Sequence, residues 1–209
     1  MPKCQYHKTK FDAKYFNQKF CLSDDECIKA FNESVKLQKE KQKAKQWQKE
    51  KKEIKEKLMT KSDFEKLLQK EINTIIRLID KDFKCISSGK PLNDKFDAGH
   101  FYSVGSNATL RFNLLNIYAQ SVYANQYLSG DQINFINGIE ENYGIGLKDY
   151  VLRLKSEYPI LKLTTDELKE KITIARSIVK HLKLENKTYN SIQRIDLRRQ
   201  FNKMIGIYN

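Results

Sequence analysis

Between Ile28 and Leu58 the chain carries no glycine and no proline, and from Lys36 to Lys57 it places ten lysines and four glutamates. Nothing there breaks a helix, and so many charges cannot enter a core. The stretch reads as one long solvated helix supported by Glu–Lys pairs. Leu37, Ala44, Trp47, Ile54 and Leu58 fall on a rough heptad seam, interrupted by Glu40 and Lys51. A weak coiled coil that makes a homodimer is therefore the alternative. This helix divides the chain into a module at 1–30, the basic helix at 31–60, a core at 61–145 and a basic helical tail at 146–209.

The balance of 39 Lys and Arg against 26 Asp and Glu gives a net charge of +13. Such an excess points to a polyanionic partner, either nucleic acid or an anionic membrane surface. It is unevenly spread. Residues 1–60 and 145–209 each carry +7, while residues 61–144 carry −1. If the partner is DNA, phosphate attraction should come from the flanks, with Lys45, Lys49 and Lys52 on the long helix and Arg194, Arg198 and Arg199 near one face of the last helix. No apolar run reaches the length of a membrane span, and the start MPKCQYHK lacks a signal-peptide pattern, so the expectation is a cytoplasmic protein. There is no Walker-type phosphate loop, and Gly99 and Gly105 are too few for a dinucleotide fingerprint.

Four cysteines in a reducing compartment favour metal over disulfides. Three of them, Cys4, Cys21 and Cys27, lie in the first thirty residues with His7. Three thiolates and one imidazole can make a tetrahedral structural zinc site, which would substitute for a core that so short a segment cannot build. Tyr6, Phe11, Tyr15, Phe16 and Phe20 are the aromatics expected around it. The alternative is reduced cysteines packed against neighbours.

Apolar periodicity and end signals give the remaining helices. Ser62 and Glu65 read as a capping box, which starts a helix near Asp63 with Phe64, Leu67, Leu68, Ile72, Ile75, Ile76 and Ile79 on one face. Further helices are expected at Asp131 to Tyr143, ended by Gly144, and at Leu147 to Tyr158, stopped before Pro159. Another follows the Thr164–Glu167 capping box, and a last one covers about Tyr189 to Ile205. The fold class is mainly α with a small β-hairpin.

The densest chemistry lies from Cys85 to Gly130. Asp97 and His100 sit in FDAGHF, which suits a short strand after a turn at Cys85–Asn93. Gly105, Ser106 and Asn107 supply turn chemistry, Asn116 lies in NLLNIY, and Asn125 lies in a short helix from Val122 to Leu128. Imidazole near neutral pH is a general base, and Asp and Asn are hard oxygen ligands for Mg²⁺ or Mn²⁺. These residue types alone carry little; a lone His is more often packed or on a surface, and Asn more often serves a turn.

Their linear order resembles the HNH, or ββα-metal, endonucleases, and in particular the NinG/Rap family of phage recombination nucleases. That family carries Cys-x-x-Cys-Gly, Asp-Ala-Gly-His, Leu-Arg-Phe-Asn, Asn-Ile-His, Cys-x-x-Cys-Asn and Ser-Gly-Asn in turn. This chain has Cys85 to Gly89, Asp97 to His100, Leu110 to Asn113, Asn116 to Tyr118, Ser121 to Asn125, and Ser129-Gly130-Asp131. Asn17-Gln-Lys-Phe-Cys21 matches the end of the family's N-terminal cysteine module, with His7 replacing a cysteine. The resemblance covers residues 1–145, with the tail only loosely matched.

The resemblance implies an HNH-like core and a metal-dependent endonuclease acting on branched DNA, such as Holliday junctions or D-loops, in a phage-infected or prophage-carrying bacterium. It implies His100 as general base, Asn116 as the brace of the active-site loop, and Asn125 and Asp97 as ligands of a catalytic Mg²⁺ or Mn²⁺. Arg111 is a candidate phosphate clamp, or a salt-bridged surface residue. The family's second zinc site is reduced to Cys85, because Ser88, Ser121 and Ala124 hold its other positions. Packing by Ile86, Leu110, Phe112, Leu115 and Tyr123 is expected to replace that metal. A catalytically inactive branched-DNA-binding protein is the alternative, and a zinc-containing adaptor a third.

Overall fold

The computed structural model describes residues 1–105, 107–157 and 161–207. The chain forms two compact units, Met1–Met59 and Thr60–Asn209.

The first unit is a short irregular segment followed by one long helix, α1 (Asp25–Lys57). Asp24 caps the helix, its side chain accepting from the Cys27 N–H at 2.8 Å. Cys27 is the helix's buried residue. The heptad-seam residues Leu37, Trp47, Ile54 and Leu58 are more than half exposed. Cys4, Phe20 and Cys27 form the small core, with Phe11 and Phe31 packed on it. Tyr15 and Phe16 point into solvent at 57% and 92% exposure, so the cluster is narrower than its aromatic content suggested.

The second unit begins with α2 (Lys61–Ile79). Its capping box is Thr60 with Asp63 rather than Ser62 with Glu65. Both pairs have the spacing of a capping box, and the earlier one extends the helix by two residues. Its apolar face buries Phe64, Leu68, Ile72, Ile75, Ile76 and Ile79. The main partner of α2 is α5 (Thr165–Glu185), which buries Leu168, Ile172, Ala175, Ile178, Val179 and Leu182. The tail is thus built into the same unit as the central hairpin. The capping box of α5 is Thr164 with Glu167, as the sequence indicates.

Two strands, β1 (Phe96–His100) and β2 (Ile117–Ser121), pair antiparallel, with Asp97 opposite Gln120 and His100 opposite Ile117. Two short 3-10 turns, Thr109–Phe112 and Leu114–Asn116, lie between them. One π-helical turn, Tyr123–Tyr127, follows β2. Then come α3 (Gln132–Tyr143), α4 (Ile145–Glu157) and, after α5, α6 (Ser191–Ile205). Gly144 ends α3 at φ 88°, a conformation that favours glycine. The stop expected before Pro159 lies outside the described residues.

Phe101, Leu110, Leu115, Tyr118, Phe135, Ile139, Val151 and Leu154 form one core around the hairpin. Gly138 lets α3 press onto the chain at Ile86, where a Cβ would stand 1.7 Å from the Ile86 carbonyl oxygen. Ile86, Leu110, Phe112 and Leu115 are buried as expected, but Tyr123 is 64% exposed. Tyr118 fills the interior instead, its ring against Phe135 and Tyr143.

Candidate functional site

Among the described residues, three groups of side chains carry chemistry. The first is in the N-terminal unit, where Cys4, His7, Cys21 and Cys27 bring one ligand atom each to within 4.8 Å of one another. Cys27 Sγ lies 3.6 Å from both Cys4 Sγ and Cys21 Sγ, and His7 Nδ1 lies 3.2 Å from Cys21 Sγ. A tetrahedral zinc site with ordinary bond lengths has edges of about 3.5–3.8 Å, so the cluster can hold a zinc ion. His7 presents Nδ1 inward and sets Nε2 2.9 Å from Asp24 Oδ2. A carboxylate on the outer nitrogen fixes the ring and raises its basicity. Asp24 therefore joins the metal site to the start of α1.

The thiol acidities fit this use. Burial opposes the Cys4 thiolate, but backbone groups of His7, Cys21 and Tyr6 outweigh it and lower the thiol to about 6. The Ser23 hydroxyl and N–H lower Cys21, while burial raises Cys27. A bound cation would favour the thiolate at all three. The helix expected from Ile28 begins at Asp25, so Asp24 is not among the expected residues in either role, although an aspartate just before a helical run is a cap signal.

A second turn repeats the first without the ligands. Cys4 N–H donates to Thr9 O at 2.8 Å and Lys8 N–H to Cys4 O at 2.9 Å, with a bridge between Lys3 and Lys10. Cys85 N–H donates to Lys90 O at 2.8 Å and Gly89 N–H to Cys85 O at 2.9 Å, with a bridge between Lys84 and Pro91. Lys8 and Gly89 both turn at positive φ, 61° and 64°. The Ser121 N–H points at Cys85 Sγ at 3.2 Å, and the Ser121 hydroxyl accepts from Ala124 N–H at 3.2 Å. Burial pushes the Cys85 thiol up, but hydrogen bonds from Ser88 and Ser121 bring it below its ordinary value. Serine hydroxyls and one thiol thus help hold this turn together.

The third group surrounds the hairpin. Asp97 on β1 and Asn125 on the π-helical turn meet, Asn125 Nδ2 donating to Asp97 Oδ2 at 2.9 Å. Gln126 Nε2 donates to the same oxygen at 2.9 Å. Two hard oxygens, Asp97 Oδ1 and Asn125 Oδ1, therefore belong to side chains already touching. That donor set fits Mg²⁺ or Mn²⁺, which take few protein ligands and complete their shell with water and phosphate.

His100 lies three residues from Asp97 on the same strand, so strand alternation turns the two side chains to opposite faces. Its Nε2 is 3.2 Å from Arg111 O and 3.2 Å from Gln69 Nε2 on α2. Burial lowers its pKa, and the Arg111 and Ala98 backbone only partly offsets this, so the ring is neutral near pH 7. Asn116 is fully buried; it accepts from Tyr102 N–H at 2.8 Å and donates to Tyr102 O and Leu110 O at 3.0 and 3.1 Å. These bonds tie the loop after His100 to the turn before β2.

Arg111 binds Glu65 at 3.1 Å and Gln69 at 3.3 Å, which is the salt-bridged alternative rather than an open clamp. Arg194 and Arg198 do not line a basic face. Both are buried against Asp80, Arg198 Nη2 donating at 2.6 Å, and their guanidinium groups lie over Phe83 and Tyr118. Helix periodicity put them with Arg199 on one stripe, but that stripe faces the core, and Arg199 alone of the three is exposed. Lys45, Lys49 and Lys52 are exposed on α1. No helix among the described residues is long and apolar enough to cross a membrane.

A family model described as "Bacteriophage Lambda NinG protein" matches residues 1–185. The protein called ninG of Salmonella phage P22 is 34% identical over 104 residues, half of each chain. Those of Escherichia phage lambda and Enterobacteria phage H19B are each 39% identical over 70 residues, about a third of each chain. The aligned part thus spans half or less of these relatives. No solved structure matches the chain.

Proposed function

The chain belongs to the NinG family of bacteriophage proteins, and from that premise we propose that it is a divalent-metal-dependent endonuclease for branched DNA, acting inside the host cell. The observation that carries the reading is the Asp97–Asn125 hydrogen bond at 2.9 Å, which joins strand and helical turn into a pair of oxygen ligands. A bound Mg²⁺ or Mn²⁺ would neutralise charge developing on the phosphate and the leaving oxygen.

In this reading His100, held neutral by burial on the face of β1 opposite Asp97, takes the proton of the attacking water, which requires the bound strand to pass across the hairpin from one face to the other. For Nε2 to serve as the base it must be freed from both neighbours, because a carbonyl oxygen such as Arg111 O accepts only from a protonated nitrogen. Arg111 stays paired with Glu65 and so holds α2 beside His100. Asn116 fixes the loop that carries the His100 backbone onward. The lysines of α1 supply most of the attraction to DNA. The zinc site holds the N-terminal unit in shape and takes no part in the chemistry.

A second reading has its own support. Asp97 already accepts two amide hydrogen bonds, and His100 Nε2 already has two polar neighbours. A protein that kept the fold and binds branched DNA without cutting it would look the same. Incubation of a labelled four-way junction with Mg²⁺, with Mn²⁺ and with EDTA separates them. Nicking that requires the divalent ion supports the endonuclease; binding with no product under any metal supports the second reading.

A further inference from the structure

Tyr123 and Tyr127 lie on either side of Asn125 in the π-helical turn, and their rings stack with centroids 5.9 Å apart and planes 22° from parallel. They are 64% and 73% exposed, whereas Phe101, Phe112, Tyr118 and Phe135 in the same unit are all buried. Leu128, next in the chain, is 45% exposed. Two large aromatic rings held mostly open beside a pair of candidate metal ligands add little to the core. A π-turn is a rare local form, and such turns recur where side chains must be aimed.

We propose that the Tyr123–Tyr127 stack is a platform for an unpaired nucleobase of the DNA strand that reaches Asp97 and Asn125, the placement beside a cleavage site resting on the nuclease reading. A base inside a duplex has both π faces covered by its neighbours. A base at a branch, gap or frayed end has one free, and it can continue the tyrosine stack. Every base offers such a face, so the interaction tolerates sequence and selects for unpaired structure. The second unit, to which the stack belongs, carries a net charge of +6, from −1 over residues 61–144 and +7 over residues 145–209, which favours a nucleic-acid strand over an apolar peptide as the occupant. The carboxylate beside the stack, Asp97, accepts from the Asn125 and Gln126 amides at 2.9 Å, which partly offsets its charge toward a DNA backbone.

The test uses the full chain in EDTA, where no metal-dependent cutting interferes. The probes are a matched duplex and a gapped duplex carrying 2-aminopurine at an unpaired position. The wild-type chain should bind the gapped probe more tightly and quench its fluorescence. The double variant Tyr123→Ala, Tyr127→Ala should lose affinity for the gapped probe by roughly five- to 150-fold, as stacking losses do, with duplex affinity unchanged. Tyr123→Trp with Tyr127→Trp should keep the quenching, which separates stacking from loss of a hydroxyl. Both rings are exposed, so thermal melts should be unchanged in every variant.

Equal loss on both probes, or wild-type binding of the gapped probe by the alanine variant, overturns the platform. So does a wild-type dimer that the alanine variant abolishes with no change in DNA binding, since the patch then joins two copies. The nuclease reading is judged separately, by cutting in Mg²⁺. A chain that quenches but never cuts keeps the platform and rejects the nuclease; one that cuts while the alanine variant binds as wild type does the reverse.

Discussion

Arg198 donates from Nη2 to the Asp80 carboxylate at 2.6 Å, and the two side chains are 0% and 2% exposed. Asp80 ends α2, Arg198 lies on α6, and the same Asp80 oxygen accepts from Ala119 N–H on β2 at 2.9 Å. One carboxylate therefore ties the first helix of the unit, the hairpin and the last helix together. Arg194, 3.7 Å away, is a second cation on the same anion.

Removing that anion leaves two guanidinium groups buried without their counter-charge. Asp80→Asn is expected to cost about 3–5 kcal/mol, the usual effect of breaking a buried pair from one side. Arg198→Met should cost less, because Arg194 remains to face Asp80 and the methionine fills space beside Tyr118. Urea denaturation of the three proteins checks the order. Equal midpoints for Asp80→Asn and wild type would show that the cluster contributes nothing to stability.

The Asp80 cluster also marks where the sequence stops being readable. Helix periodicity located α2, α5 and α6, because apolar faces at 3.6-residue spacing report burial directly. It could not distinguish an arginine stripe in water from one sealed over tyrosine and phenylalanine rings, since the partner lies more than a hundred residues away. Asn202, which donates to Asn113 Oδ1 at 2.9 Å with both side chains fully buried, was invisible for the same reason. The zinc cluster was legible because few residue types make a metal site. The Asp97–Asn125 pairing followed from motif order, whereas the Gln69 and Arg111 neighbours of His100 depend on how α2 packs.

Zinc content should be one ion per chain, bound in the first unit. Cys4→Ser should release it, and Asp24→Ala should weaken affinity by about 10–100-fold through the loss of the His7 orientation. Metal analysis with a chromogenic chelator measures both. Two ions per chain would mean that Cys85 and its serines still hold metal.

The exposed lysines of α1 should act additively on DNA phosphates. Replacing Lys45, Lys49 and Lys52 by Gln should flatten the log–log dependence of DNA affinity on salt by up to about 0.9 for each phosphate no longer neutralised. The weakening should be the same for junction and duplex, because phosphates carry no shape information on their own. An unchanged slope would assign phosphate binding to other residues.

Cleavage should separate the three residues around the hairpin by the way each fails. His100→Ala should lose about 10²–10⁴-fold in rate, the usual contribution of a positioned base, with DNA affinity kept. Raised Mn²⁺ should not restore it, because more cation does not replace a missing proton acceptor. Asn125→Ala should lose cleavage too, yet recover in part at raised Mn²⁺, since Asp97 still offers its carboxylate. Asn116→Ala removes one acceptor and two donors from a buried loop, so it should lower stability by about 1–3 kcal/mol and give a smaller loss of rate. Thermal melts run beside each assay distinguish a loosened loop from an unfolded chain. If wild type and His100→Ala cut a junction at the same rate, His100 is a packed histidine whose neutral ring serves only Gln69 and Arg111, and the base must be sought elsewhere.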